Sequence, residues 1–356
     1  MIKTVSIKLK ADGSQKDSLL RTMFKFNEIC NYISVIAFEK QIFNKFNLQK
    51  EVYNIVRKEF NTPSQLTVKA IKRVCDSYKI NKEDVHKFKK YSSIEYDARM
   101  LTWKNLEQVS LCSLEKRITL PIVFGKYALL TEKNISCSAK LVYKKGIFYL
   151  NTSVEYEEAA PIKSRDFIGV DMGMVNLATT SDGEFFSGKE VENVRVRTNS
   201  LRKRLQRRGT KSAKRKLKKI SKRERNFKKN TNHVISKRLV STALKAQKGI
   251  SLELLKNFSA TVTKEQRDRF GKWAFAELTS FIIYKAQGKG VRVMLVDPRN
   301  TSRTCPQCGH CSKKNRKSQS EFVCKSCSYA NHADIVGAIN VRNRAVLSIS
   351  LLYPDC

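Results

Sequence analysis

Residues 301–341 read TSRTCPQCGHCSKKNRKSQSEFVCKSCSYANHADIVGAINV and begin with two CxxC motifs separated by fifteen residues. The four cysteines of these motifs are Cys305, Cys308, Cys324 and Cys327. Two such pairs at this separation are typical of a closed structural zinc site with four thiolate ligands. His310 and Cys311 lie close enough in the sequence to act as substitute ligands, although the paired spacing favours the four cysteines.

Three acidic residues stand out by their positions. Asp334 follows Cys327 by seven residues and opens a stretch that reads as a helix. Asp171 ends the apolar strand pattern FIGVD, and Glu253 lies inside the apolar strand pattern SLELL. A carboxylate in either place is costly to bury without a partner, so each requires an explanation.

Taken alone, Glu253 is explained as well by a salt bridge or an edge position as by a metal ion. The three acids together, on elements able to converge at one end of a sheet, favour a common site. Oxygen ligands without histidine suit Mg²⁺ or Mn²⁺. Two such ions about 4 Å apart promote phosphodiester hydrolysis, so we expect Asp171, Glu253 and Asp334 to be catalytic metal ligands.

The composition predicts a polyanionic partner. The chain of 356 residues has 70 Lys and Arg against 32 Asp and Glu, a net charge of +38 that favours nucleic acid. Residues 195–248 alone hold 22 Lys or Arg and one acid, Glu224, and their thin apolar stripe predicts a helical hairpin. The sequence shows neither a signal peptide nor an apolar run of membrane-spanning length, which predicts a cytoplasmic protein without a membrane partner.

The hydrophobic period divides the chain into two parts. Residues 2–10 alternate as a strand, residues 11–100 read as mainly helical, and strand periodicity returns after them. We expect these strands to form one small barrel into which the helices are inserted. From Asp166 the order strand, hairpin, helices, strand, helix from Thr263, strand and helix predicts an α/β unit with a mixed sheet.

Several sequence blocks occur in a characteristic order. They are GVDMG at 169–173 with LAT at 177–179, LEL at 252–254 after the basic insert, TSRTCPQCG at 301–309, and the second CxxC pair with residues 334–341. In this combination the chain resembles the TnpB proteins, the OrfB-type partners encoded by insertion sequences and compact relatives of type V CRISPR effector nucleases. The blocks cover about half of the chain, whereas the N-terminal half matches only in general character.

The resemblance implies an RNase-H-like RuvC nuclease domain in which Asp171, Glu253 and Asp334 bind the metal ions. The implied domains are a β-barrel-like wedge domain (1–10 and 101–163), a helical recognition-like insertion (11–100), the RuvC domain (164–300 and 329–356, with the basic insert 195–248) and a zinc ribbon (301–328). The fold class is thus α/β plus β, in several domains.

The resemblance also implies partners. These are a guide RNA transcribed from the end of the element, a target DNA cut beside a short motif read by the N-terminal domains, and a companion transposase where the element encodes one. By the same resemblance, the 195–248 insert grips phosphates of the guide or heteroduplex; the alternative is a basic arm without a fixed partner. Its candidate contact residues are Arg202, Lys203, Arg204, Arg207, Arg208, Lys214, Arg215, Lys218 and Lys219. In a bacterium, the protein would associate with the nucleoid.

Two positions depart from the family pattern. Leu254 stands where an acid or amide commonly follows the glutamate, and Val336 stands where an amide is common. We expect the loss of the amide at Val336 to weaken support of Asp334. Two alternatives therefore remain: an RNA-guided DNA-binding protein or repressor that no longer cuts, and an architectural basic RNA-binding protein, which leaves the acids at strand ends unexplained.

Overall fold

The computed structural model describes residues 1–125, 131, 134–254 and 275–352. The chain forms two compact units, Met1–Tyr156 and Glu157–Cys356. No helix among these described residues has the length and apolar character needed to cross a bilayer. The start of the helix predicted from Thr263 lies outside the described residues.

The first unit combines one antiparallel sheet of seven strands with three helices. The strands are β1 (Ile2–Leu9), β2 (Ile94–Tyr96), β3 (Leu101–Lys104), β4 (Gln108–Cys112), β5 (Arg117–Val123), β6 (Ile135–Lys144) and β7 (Ile147–Glu155). The helices are α1 (Gly13–Glu39), α2 (Lys45–Phe60) and α3 (Ser64–Tyr78). The strand order β2-β6-β7-β1-β5-β4-β3 puts the first strand of the chain in the middle of the sheet, as the sequence predicts for a sheet completed after the helical insertion.

The two ends of this sheet curl toward each other. Trp103 on β3 donates its indole N–H to the carbonyl of Ser136 on β6 at 3.0 Å. Tyr96 on β2 donates its hydroxyl to the carbonyl of Cys112 on β4 at 2.8 Å. Within the described part of the chain no strand ladder joins β2 to β3, so side chains rather than a ladder link the ends of the predicted barrel.

The prediction of a mainly helical segment over 11–100 needs one correction. The helices end at Tyr78, and Ile94–Tyr96 instead pairs with β6 as a strand of the sheet. Ile94 and Tyr96 are both fully buried. Because two core residues separated by one position share a face only in a strand, this short segment is extended.

The second unit is built on a five-stranded mixed sheet, as the order of elements predicts. The strands are β8 (Phe167–Asp171), β9 (Asn176–Thr180), β10 (Phe185–Ser187), β11 (Gly249–Glu253) and β12 (Val293–Val296). Their order is β10-β9-β8-β11-β12; β8 is antiparallel to β9, whereas β8, β11 and β12 run parallel. A small hairpin of β13 (Glu321–Val323) and β14 (Ala330–His332) lies in the cysteine-containing segment.

Four helices of this unit are described. They are α4 (Lys189–Arg208), α5 (Lys211–Lys245), α6 (Phe275–Gln287) and α7 (Ala333–Leu352). The helices α4 and α5 form the predicted basic hairpin. Glu224, the single acid of residues 195–248, is buried and ion-paired with Arg202 at 2.7 Å and with Lys228 at 3.1 Å. The acid therefore joins the two helices instead of neutralising their outer surface.

The two faces of β8 pack against different helices. Ile168 and Val170 enter a core shared with residues of α5 and α6, whereas Phe167 packs with Val341 and other residues of α7. Gly169 allows α7 to lie directly on the strand, because a Cβ at this position would be 1.9 Å from the carbonyl oxygen of Ala338. Since side chains alternate along a strand, Asp171 shares the α7 face with Phe167 and Gly169.

Candidate functional site

Two of the predicted acids meet through strand register. Leu252 of β11 is the partner of Val170 of β8 in the parallel pairing of these strands. Asp171 and Glu253 are the next residues of each strand, so both carboxylates emerge at the same edge of the sheet. The carboxyl ends of adjacent parallel strands form the usual position for a site in an α/β sheet.

The third acid reaches this edge from α7. Asp334 is the second residue of the helix, and its side chain is 15% exposed. One turn further along the helix, a Cβ at Gly337 would be 3.0 Å from Oδ2 of Asp171. The first turn of α7 therefore lies against the carboxylate of Asp171, and the structure brings all three predicted acids to one region.

The electrostatics of the acids agree with this proximity. Burial, followed by the negative charges of Glu253 and Asp334, raises the pKa of Asp171 to about 7 although Arg316 acts in the opposite direction. Burial also raises the pKa of Glu253, against a hydrogen bond from Thr301 and the charge of Arg344. Mutually repelling, partly desolvated carboxylates are suited to bind a cation.

Two neutral side chains orient these carboxylates. The hydroxyl of Thr301 donates to Oε1 of Glu253 at 2.6 Å. The amide of Asn176, the first residue of β9, donates to Oδ2 of Asp334 at 2.9 Å. Neither residue was among the predicted site residues, although Thr301 begins the block 301–309 and Asn176 directly precedes the block 177–179. Asp334 thus has an amide partner despite the valine at position 336.

A cation from the cysteine-containing segment also reaches the site. The guanidinium of Arg316 lies 3.6 Å from Oδ1 of Asp334. Arg316 is itself held by the carbonyl groups of Ser318 and Gln319, which accept hydrogen bonds at 3.3 and 2.9 Å. Arg316 could not be singled out beforehand, because several Lys and Arg residues occupy the same loop.

The four cysteines form a compact cluster. Their Sγ atoms all lie within 4.8 Å of one another, and the pairs Cys305–Cys327 and Cys308–Cys324 are each 3.6 Å apart. A tetrahedral zinc ion with bonds of about 2.3 Å requires sulfur atoms about 3.8 Å apart, so the cluster fits zinc. Among the described residues, neither Cys311 nor His310 joins the cluster, and the three acids do not form a second group that is already closed around an ion.

Two backbone N–H groups donate hydrogen bonds to the sulfur of one cysteine in the cluster. The N–H groups of Ser326 and Cys327 donate to Sγ of Cys324 at 3.4 and 3.5 Å. Burial tends to raise the pKa of this thiol, but these two bonds, together with contacts from the Cys308 and Cys327 side chains, lower the pKa to about 6. The thiolate, the form that binds zinc, is therefore favoured.

The cysteine cluster and the acids are mechanically connected. Val336 and Ala333 of α7 pack into a small core with Cys305, Phe322 and Cys324. The amide of Asn340 on α7 donates to the carbonyls of Thr301 and Thr304, both at 2.7 Å. The segment that carries the cysteines thus contacts the helix of Asp334 and, through Thr301, also contacts Glu253.

The backbone of Leu254 continues the ladder of β11 beyond Glu253. Its N–H group donates to the carbonyl of Val296 at 2.8 Å.

Most of the nine candidate contact residues in the α4–α5 hairpin are exposed. Arg202 is half-buried and paired with Glu224, and the other eight are exposed. These eight cations face solvent on two helices and are available to a polyanion.

Two family models match separate parts of the chain. The OrfB_IS605 model, described as a probable transposase, matches residues 151–250, and the model described as the Cas12f1-like TNB domain matches residues 275–341. The second match contains the cysteine cluster and Asp334, and the first contains Asp171. The two matches lie in the order in which the sequence blocks occur.

Named relatives are similar to part of the chain. The CRISPR-associated endodeoxyribonuclease Cas12f1 of Sulfoacidibacillus thermotolerans is 30% identical over 217 residues, which cover 56% of this chain and 50% of that protein. The TnpB-like protein MJ0751 of Methanocaldococcus jannaschii is 35% identical over 128 residues, 35% of this chain and 45% of that protein. The chain therefore matches about half the length of these curated relatives.

The fold extends the similarity to most of the chain. The cryo-EM structure of a Cas12f1–sgRNA–target DNA complex superposes with a TM-score of 0.61 at 15% identity, covering 92% of this chain and 83% of that chain. At 15% identity, this match shows similarity of the fold alone. The two family models and the named relatives, rather than this fold match, support the chain as a TnpB-family relative of the type V CRISPR effectors.

Proposed function

We propose that this chain is an RNA-guided, metal-dependent DNA endonuclease of an insertion-sequence-type mobile element. The observation that carries the proposal is the convergence of Asp171, Glu253 and Asp334 from two parallel strand ends and a helix start. The names of the relatives support it, since one is an endodeoxyribonuclease and the matching complex contains sgRNA and target DNA. A basic architectural protein has no use for three mutually repelling acids.

In this proposal the second unit is the RNase-H-like RuvC domain, and Asp171, Glu253 and Asp334 are its catalytic residues. Their oxygen donors suit Mg²⁺ or Mn²⁺, which when bound supply Lewis-acid activation of water and stabilisation of the leaving oxygen. Thr301 orients Glu253. Asn176 and Arg316 orient Asp334, and Arg316 also offsets part of the negative charge on the acids. These contacts hold the carboxylates in place before substrate arrives.

The cysteine segment is proposed to be a zinc ribbon with a structural role. Cys305, Cys308, Cys324 and Cys327 would hold the ion and leave no open coordination position for chemistry. The contacts of Val336 and Ala333 with the cysteine cluster indicate why an endonuclease would retain it, because the ribbon supports the first turn of α7. Zinc binding would then stabilise the position of Asp334.

The α4–α5 hairpin and the first unit are proposed to bind nucleic acid. The eight exposed cations of the hairpin would contact phosphates of the guide RNA or the heteroduplex, whereas Arg202 would hold the hairpin together through Glu224. The first unit would combine the wedge sheet with the recognition-like helices. A companion transposase would be a further partner where the element encodes one.

Plasmid cleavage tests the catalytic proposal. The protein is purified with RNA expressed from its own locus and is incubated with target plasmid and Mg²⁺. Wild type is expected to cut, and Asp171→Ala is expected to lose at least a thousandfold in rate because one metal ligand is gone. Asp297→Ala is the matched control, since Asp297 is an exposed acid that directly follows the neighbouring strand β12. Cleavage that survives Asp171→Ala would refute the proposal.

A second candidate is an RNA-guided DNA-binding protein that does not cut. It is favoured by one observation: among the described residues, the three acids are not closed around a metal position as the cysteines are. The same preparation separates the two candidates. Guide-dependent binding of target DNA without nicking, in Mg²⁺ or in Mn²⁺, would support the non-cutting protein.

A further inference from the structure

The first unit contains a cavity that none of the sequence motifs explains. Its volume is about 380 Å³, and it is formed by the start of α2, the first half of α3 and the turn between β2 and β3. Its charged and amide-bearing lining residues are Lys45, Gln65, Lys69, Lys72, Asp97 and Arg99. Four cations thus surround one space, against one carboxylate.

Two of the four cations are neutralised within the protein. Lys69, whose side chain is only 11% exposed, lies 3.1 Å from Asp97 and 3.4 Å from Glu95. Lys72 donates to Glu95 at 2.8 Å, and this bond lowers the pKa of Glu95. Gln65 donates its amide to Asp97 at 2.9 Å. These contacts form one polar wall of the cavity.

The other two cations keep their charge available. Within the described part of the chain, neither Lys45 nor Arg99 makes an ion pair. Lys45 is the first residue of α2, whose first-turn N–H groups already donate to the side chain of Asn44. Gln65 is the second residue of α3, so the positive end of the α3 dipole borders the cavity. Pro63, which precedes α3, provides no side-chain cap for its first turn. The cavity therefore attracts an anion.

We propose that this cavity binds a phosphate group of a nucleic acid, with Lys45 and Arg99 as its principal contacts. An arginine fork, a lysine and helix N-termini are the groups that proteins use for phosphate. The net charge of +38 makes nucleic acid the anion that accumulates at this surface. The proposal deepens the proposed function by adding a phosphate contact in the first unit, and it does not depend on DNA cleavage.

The test compares two double variants of the full chain, each of which removes two positive charges. Lys45→Gln with Arg99→Gln changes the cavity. Lys50→Gln with Lys58→Gln, two exposed lysines on the same helix α2, is the matched control. All proteins carry Asp171→Ala to prevent cleavage. Binding of labelled duplex DNA and of labelled single-stranded RNA is measured between 50 and 200 mM salt, with inorganic phosphate as competitor.

The cavity variant is expected to reduce the slope of log K against log salt. One lost phosphate contact changes the slope by about 0.9 for duplex DNA or about 0.7 for a single strand, and the control is expected to change it by less than half as much. A change with DNA alone assigns a DNA phosphate, and a change with RNA alone assigns an RNA phosphate. Unchanged slopes, equal effects of both variants, or competition by inorganic phosphate without a slope change would overturn the proposal. Because binding is measured without cleavage, this result and that of the plasmid assay are independent.

Discussion

The four cysteines and the three carboxylates are two candidate metal sites assembled in different ways. The cysteines come from two short loops, and their Sγ atoms already lie within 4.8 Å of one another. The acids come from β8, β11 and α7, and each pair of consecutive acids is separated by about 80 residues of sequence. The first site depends on local loop geometry, whereas the second depends on the whole sheet of the second unit.

The two sites also differ in their electrostatic state. Donated N–H groups and the neighbouring thiols outweigh burial and lower the pKa of Cys324, which favours the thiolate that binds a metal ion. Burial and repulsion by Glu253 and Asp334 raise the pKa of Asp171, and a bound cation would relieve this repulsion. A site of the first kind suits a permanent structural ion, and a site of the second kind suits exchangeable ions in catalysis.

Despite these differences, the two sites share elements. Val336 packs beside Cys305 and Cys324, while Asp334 lies two residues earlier on the same helix. Thr301 and Arg316 extend from the cysteine segment to Glu253 and Asp334. We therefore predict that loss of the cysteine site disturbs the acidic site, whereas loss of the acids leaves the cysteine site nearly unchanged.

Removing a cysteine should give the largest effect. Cys324→Ser is expected to lose zinc and, with it, DNA cleavage, because a structural zinc ion contributes on the order of 10 kcal/mol in zinc-finger peptides. Zinc is measured by elemental analysis and cleavage by plasmid nicking. Cys311→Ser is the control, since Cys311 is exposed and outside the cluster. A zinc-free variant that cuts at the wild-type rate would show that the two sites are uncoupled.

The acidic site should be sensitive to the contact of α7 with β8. Gly169→Ala places a Cβ where the carbonyl oxygen of Ala338 lies, and we expect a loss of about 3 kcal/mol in the free energy of unfolding of the second unit. Denaturant unfolding measures this loss. Gly13→Ala is the control, because nothing lies within 4 Å of its added Cβ. Equal stabilities of the two variants would contradict the close packing of α7.

The hydroxyl that orients Glu253 should have a smaller effect. Thr301→Val removes this hydrogen bond to a charged group and is expected to reduce the cleavage rate about tenfold. It should also raise the Mg²⁺ concentration required for half-maximal cleavage. Thr301→Ser retains the hydroxyl and is expected to restore both quantities. If valine and serine behave alike, Thr301 has only a packing role.

The smallest effect concerns Asp166, which precedes β8 and pairs with Arg342 of α7 and with Lys248 next to β11. Burial tends to raise the pKa of Asp166, but hydrogen bonds from Arg342 and Lys248 at 2.8 and 3.0 Å lower it to about 2. A depressed pKa contributes stability above about pH 4 that is lost as the pH falls through 2. Asp166→Asn should cost about 1 kcal/mol at pH 7, because the pair is partly exposed, and this cost should disappear well below pH 2. If the loss in the free energy of unfolding does not change with pH, the ion pairs of Asp166 are not its cause.

The sequence singled out the candidate ligand residues more readily than the side chains that surround them. CxxC spacing is a local pattern, and acids at apolar strand ends are visible without a structure, so both sets could be named. Asn176 and Arg316 could not, because their roles arise from contacts with Asp334 across 158 and 18 residues. An amide at the start of a strand and one cation among several carry no distinguishing local signal.

The interpretation of Val336 shows a similar limit. From the sequence, valine at this position meant a lost amide and weaker support of Asp334. In the structure Val336 is fully buried beside the cysteines, and Asn176 provides an amide to Asp334. The partner of a side chain depends on which elements pack together, and the motif alone does not contain this information. The three-residue strand β2 was missed for the same reason.

Metal counting on one preparation tests the central claim most directly. Zinc is quantified by elemental analysis, and Mn²⁺ binding is followed by electron paramagnetic resonance in wild type and in Asp171→Ala. The account predicts about one zinc per chain in both proteins, with tight Mn²⁺ binding in wild type that Asp171→Ala removes. Equal Mn²⁺ binding by the two proteins would contradict the claim that Asp171, Glu253 and Asp334 form the catalytic metal site.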